Sequence, residues 1–156
     1  MSHIHEKIDF TVDVFVVHEN KVLLRMHDKY HLWLAPGGHI ELHEDPNEAA
    51  LREVKEEVGL DVELWNGHAQ VLSGDDRISI LIPPISINRH NVSPEHEHIS
   101  LVYFATTENP EVTVGDHDDQ SHEWKWFMEH ELEEFDIPKN IRDYAHLALE
   151  ALSFGK

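Results

Sequence analysis

Apolar and β-branched residues run densely from Ile8 to Val17, break at Glu19-Asn20, and resume from Lys21 to Met26. That pattern predicts two strands joined as a hairpin. A polar loop, residues 27–31, leads to a short strand at Leu32-Trp33-Leu34 and a turn at Ala35-Pro36-Gly37-Gly38. The periodicity then changes. At about 100° per residue, Ala50, Leu51, Val54 and Val58 share one side of a helix. Asp45 suits the N-cap, Pro46 the first helical position, and Glu48 stands three residues after the cap. Gly59 suits the left-handed conformation that ends a helix.

Residues 62–72 read as a strand interrupted near Asn66-Gly67, and Gly74-Asp75-Asp76 as a turn. Residues 78–82 are apolar but meet Pro83-Pro84, which cannot lie in mid-sheet. A polar loop is expected over 85–97, a strand over 99–105, and a loop over 108–120. A last strand follows at 123–127, with Trp124 and Trp126 on one side and assigned to the core. A short helix is expected over 129–135. Pro138 opens a final helix whose apolar face is Ile141, Tyr144, Ala145, Ala148, Leu149 and Leu152. Strands with a central and a C-terminal helix predict an α/β fold, a mixed sheet between helical layers. A chain of 156 residues with no evident linker suits a single domain, residues 1–156.

Charge narrows the function. The formal net charge is −19, from 31 acidic and 12 basic residues. Such a surface repels polyanions, so no nucleic-acid polymer is expected as a partner. A small phosphorylated ligand would need cations to bridge it to carboxylates. The 15 histidines are scattered, and most read as surface residues. Cysteine is absent, which removes thiol chemistry and disulfides. No apolar run approaches the roughly 20 residues of a membrane span. The first residues lack a signal-peptide layout, so a cytoplasmic protein with no membrane partner is the expectation.

The chemistry concentrates on the central helix. Glu53, Glu56 and Glu57 are spaced i, i+3, i+4 and crowd one side, opposite the apolar stripe. Arg52 can pair with Glu48 or Glu56 but cannot neutralise all three. The group is either a solvated acidic face or a set of oxygen ligands for a hard divalent cation. The surrounding residues decide. The stretch Gly38 to Leu60 fits the Nudix box, Gly-x5-Glu-x7-Arg-Glu-U-x-Glu-Glu-x-Gly-U, where U is bulky and aliphatic. Its fixed positions here are Gly38, Glu44, Arg52, Glu53, Val54, Glu56, Glu57, Gly59 and Leu60. The chain therefore resembles the Nudix hydrolases over about a seventh of its length, without departure inside the box.

The resemblance implies an αβα sandwich and the metal-dependent hydrolysis of a diphosphate linkage in a nucleoside diphosphate joined to another group. It implies Mg²⁺, with Mn²⁺ as an alternative, held by Glu56, Glu57 and the Gly38 carbonyl. Glu53 is then a ligand or the base acting on water, giving Glu53, Glu57 and Arg52 as catalytic candidates. Arg52 would hold the glutamates, and Glu44 would fix the loop; Gly59 ends the helix. A base outside the box is also open, among Glu95, Glu97, Asp116, Asp118, Asp119 and Glu123. Arg25, Trp33, Glu97 and His98 are candidate substrate contacts, with Tyr30 and Trp33 able to stack on a base and Trp33 also suited to the core. His96 and His98, two apart, could share one side of an extended segment, but no further zinc ligand stands at a recognisable spacing.

Two other classes compete with this reading. A non-catalytic nucleotide-binding or regulatory module on the same fold would lose box glutamates, and all are present. A diphosphate isomerase resembles family members with an additional Cys, which this chain lacks. The nucleotide substrate stays open, as does assembly, with a homodimer compatible. The loops at 27–31, 83–97 and 108–120 would choose the substrate.

Overall fold

The structure, a computed structural model, describes residues 6–67, 72–114 and 123–153. Eight strands form one mixed sheet: β1 (Ile8–His18), β2 (Lys21–Met26), β3 (Trp33–Leu34), β4 (Gly37–His39), β5 (Glu63–Leu64), β6 (Ser86–Ser93), β7 (His96–Thr106) and β8 (Trp124–Met128). The helices are α1 (Pro46–Val58), α2 (Glu131–Glu134) and α3 (Lys139–Leu152). The central path is β3-β2-β1-β7-β5, with β4 on β1, β6 on β7 and β8 on β2. β1 and β7 run parallel from Ile8↔Glu97 to Val17↔Thr106; every other pairing is antiparallel.

Alternation along β1 builds the layers. Val12, Val14 and Val16 leave one face and pack with Ala49, Ala50, Val54 and Val58 of α1. Phe15 and Val17 leave the other and pack with Ile141, Ala145, Ala148 and Leu149 of α3. The fold is thus the expected αβα sandwich. At the start of β1 the same alternation gives Asp9, Thr11 and Asp13, so the α3-side face is apolar at one end and polar at the other.

α1 begins as its sequence requires. The Asp45 carboxylate accepts from the Glu48 amide, and the Glu48 carboxylate accepts from the Asp45 amide, each at 2.9 Å. Gly59 ends it with φ +71°, and a Cβ there would lie 2.0 Å from Thr113 Oγ1, so conformation and space both demand glycine. Leu51 does not join the apolar face: it is 42% exposed, and Ala49 takes the inward place.

Other expectations need correcting. The strand expected over 62–72 is only Glu63–Leu64. One further hydrogen bond, Trp65 amide to Phe104 carbonyl, follows it before Ile85 and then β6 take over the same edge of β7. The loop expected over 85–97 is mostly β6 with the first residues of β7, so Glu97 and His98 lie in a strand. Exposed polar residues dominate β6, which hid its period. The short helix spans Glu131–Glu134 rather than 129–135. Trp124 is 37% exposed instead of core; Trp126 is partly buried against the α1-side core. Residues 78–82 form no strand; the Asn47 side chain clasps Ile82 through its amide (2.8 Å) and carbonyl (2.9 Å).

Candidate active site

Three elements converge beside α1. β4 lies on β1 through Val12↔Gly38, which brings its backbone under the helix. Glu53 projects toward Gly38 so closely that a Cβ on that glycine would lie 2.4 Å from Glu53 Oε1. β2 brings Arg25, whose Nε donates to Glu57 Oε2 at 2.7 Å. The Gly37 amide also faces that oxygen, at 3.4 Å.

The carboxylates are not a solvated face. Glu53 is 6% and Glu57 8% exposed; only Glu56 is open to solvent. Burial, the largest influence, raises both buried carboxyls from 4.5 to about 7, against the lowering by Arg52 at Glu53 and by Arg25 at Glu57. Crowding adds to this: Glu56 and Glu44 raise Glu53, and Glu53 raises Glu57.

Arg52 ties the group together. It donates to both oxygens of Glu44, Nε to Oε2 at 2.9 Å and Nη2 to Oε1 at 2.6 Å, the forked geometry suited to a guanidinium. It also reaches Glu53 (2.9 Å), Glu56 (3.1 Å) and the His39 carbonyl (3.0 Å). The pairing with Glu48 considered from the sequence is replaced by these contacts, since Glu48 caps its own helix. The hydrogen bond from Arg52 holds the Glu44 carboxyl below its ordinary range.

The remaining candidates separate. Trp33 is in the core, edge-on to Phe127 with ring centroids 5.1 Å apart, rather than open to a base. Tyr30 is exposed and stacks on His27 at 4.8 Å. Glu97 accepts from Arg89 Nε at 2.9 Å. Glu95 is exposed in the β6–β7 turn and Glu123 is exposed just before β8; Asp116, Asp118 and Asp119 lie outside the described residues. His98 stands on the far face of the sheet, with His39 and Asp9. Its imidazole is lowered to about 4, first by burial and then by neighbouring imidazoles, so it is neutral at pH 7. Asp9 and His39 escaped the sequence reading. The available signal was a polar residue at every second position, Asp9, Thr11 and Asp13, within an otherwise apolar strand.

A mixed sheet between helices, with a glutamate-bearing helix against the glycines of β4, defines an α/β protein with an acidic site between α1 and the sheet. The NUDIX domain model matches residues 7–148, and the chain belongs to that family as a Nudix hydrolase. A Nudix-family hydrolase from Clostridium perfringens is 38% identical and superposes with a TM-score of 0.81 over 93% of this chain and 98% of that one. A MutT Nudix hydrolase from Burkholderia pseudomallei, 20% identical, shares the fold with a TM-score of 0.65 over 95% and 100% of the two chains. An Ap4A hydrolase from C. elegans, also 20% identical, shares it at 0.59 over 92% and 94%. No curated protein matches the sequence.

Proposed function

We propose that this chain is a divalent-metal-dependent pyrophosphohydrolase. It would cleave the diphosphate linkage of a nucleoside diphosphate joined to another group, with Mg²⁺ as the ion and Mn²⁺ as a substitute. The supporting observation is the pair of buried glutamates, Glu53 and Glu57, with the Glu53 carboxylate close against Gly38. Buried carboxylates at this density call for a cation, and an all-oxygen donor set suits a hard one. Glu56, Glu57 and the Gly38 carbonyl would hold it.

When bound, the ion neutralises diphosphate charge and activates water. Each protein group then has a task. Glu53, raised to about 7 by burial, accepts the proton of the attacking water; a base is most effective near the operating pH. Arg52 positions Glu53 and Glu56 together, and Glu44 anchors Arg52. Arg25 orients Glu57 and lends positive charge to an otherwise acidic site.

The strongly acidic surface supports a small substrate over a polymer. Among the described residues no helix is long and apolar enough to cross a membrane; we read the enzyme as cytoplasmic. The test is a panel of nucleoside triphosphates, dinucleoside polyphosphates, ADP-ribose and NADH, with the nucleotide products resolved by ion-exchange chromatography. EDTA should abolish turnover and Mg²⁺ or Mn²⁺ restore it. No turnover of any compound with either metal would overturn the reading.

A further inference from the structure

We propose that Asp9, His39 and His98 form a second cation site, on the sheet face away from α1, for a zinc-like transition-metal ion. One ligand atom from each lies within 4.8 Å of the other two. They come from three strands, and register aligns them. β1 and β7 pair Asp9 with His98, while β1 and β4 pair Thr11 with His39, two residues along the same face. β4 thereby serves both faces: Gly38 lies against Glu53, and His39 reaches Asp9 on the other side.

The geometry suits a tetrahedral ion. Bonds of about 2.0–2.2 Å at tetrahedral angles set ligand atoms about 3.4 Å apart. His39 Nε2 stands 3.3 Å from Asp9 Oδ2, and the His98 ligand atom lies within 4.8 Å of theirs. A supporting layer is present. Asp9, 1% exposed, meets His96 Nε2 at 3.0 Å, and His96 Nδ1 meets the Glu6 carbonyl at 3.2 Å. Ligating carboxylates are ordinarily oriented by such outer partners. His90, exposed on β6, places its ring 5.6 Å from that of His98.

Donor chemistry separates this site from the hydrolytic one. Two imidazoles and one carboxylate favour zinc, cobalt or nickel, whereas Mg²⁺ prefers oxygen. His98, without recognisable further ligands in the sequence, gains Asp9 and His39 from strands far away in the chain, while His96 orients Asp9.

The experiment titrates Co²⁺ and Zn²⁺ into the metal-stripped full chain held in excess Mg²⁺, by calorimetry and by the visible spectrum of Co²⁺. About one equivalent should bind, with the d–d bands of a low-coordinate nitrogen–oxygen site. His98→Gln and Asp9→Asn should weaken binding at least about tenfold; Glu56→Gln should leave it unchanged. Circular dichroism checks folding, and His98→Gln, the less buried change, decides the matter if Asp9→Asn unfolds. No Co²⁺ or Zn²⁺ binding above Mg²⁺, undiminished binding in His98→Gln, or loss of binding in Glu56→Gln would each overturn the proposal.

Discussion

Arg25 and Glu57 stand 32 residues apart in the chain, yet Arg25 Nε donates to Glu57 Oε2 at 2.7 Å, joining β2 to the glutamate helix. The bond does not keep Glu57 strongly acidic. Burial outweighs the arginine and raises its carboxyl to about 7. The glutamate is thus held in place by Arg25 while its buried charge costs the fold stability.

Glu57→Gln follows directly. The amide oxygen can still accept from Arg25, while the buried charge is gone. The metal-free variant should be at least as stable as the parent at pH 8, should gain less melting temperature from Mg²⁺, and should lose most turnover. Thermal melts with and without Mg²⁺, beside a phosphate-release assay, check all three parts. A variant that melts early without metal yet hydrolyses normally would make Glu57 a structural residue.

The pH profile of stability has a definite sign. Glu53 and Glu57 are raised in the fold from 4.5 to about 7. Between those values the folded state binds more protons than the unfolded, so their protonation stabilises the fold. Their stabilisation is complete below about pH 4.5 and is lost as pH rises through about 7. The slope in this window should be reduced in Glu57→Gln. Urea unfolding of metal-free protein from pH 5 to 8 measures it, and equal slopes for parent and variant would contradict it.

Arg52→Ala should be the most damaging change in the site. It strips the forked partner from Glu44 and removes the hydrogen bonds that Arg52 donates to Glu53 and the His39 carbonyl. Removing one member of such a pair costs on the order of 3 kcal/mol. Arg52→Lys should recover little of it, because one ammonium cannot reproduce the fork. Urea midpoints of the two variants provide the measurement.

Gly38→Ala tests the contact between β4 and α1. The added methyl would meet the Glu53 carboxylate at 2.4–2.7 Å. That carboxylate is the end of a side chain, so it can be displaced, and stability should fall by only about 1 kcal/mol. Turnover should fall by at least about tenfold, since small misplacements of catalytic groups are costly. Parent-like turnover with a large loss of stability would show the contact to be purely structural.

Local signals carried much of this molecule into view from the sequence. The Asp45 cap, Pro46, Glu48 and Gly59 delimit α1 because capping is decided within a few residues, and both ends stand where they were expected. The box residues Gly38, Glu44, Arg52, Glu53, Glu56 and Glu57 could be named together because their spacing is itself the signal. Burial could not be read in the same way. The i, i+3, i+4 spacing puts three glutamates on one side of a helix, but only the packing of β4 and β2 against α1 buries Glu53 and Glu57 and leaves Glu56 in water. Crowding, which the spacing does show, is the smaller influence on their acidity, and desolvation is the larger. β6 was hidden for a related reason: its polar residues carry little period of their own, and the edge of β7 makes it a strand. Asp9, His39 and His98 meet only because the parallel register of β1 and β7 and the short antiparallel β4 align distant residues on one face. Caps, turns and box spacing act over a few residues and are written in the chain; desolvation and cross-strand proximity depend on what packs alongside, which tertiary structure alone decides.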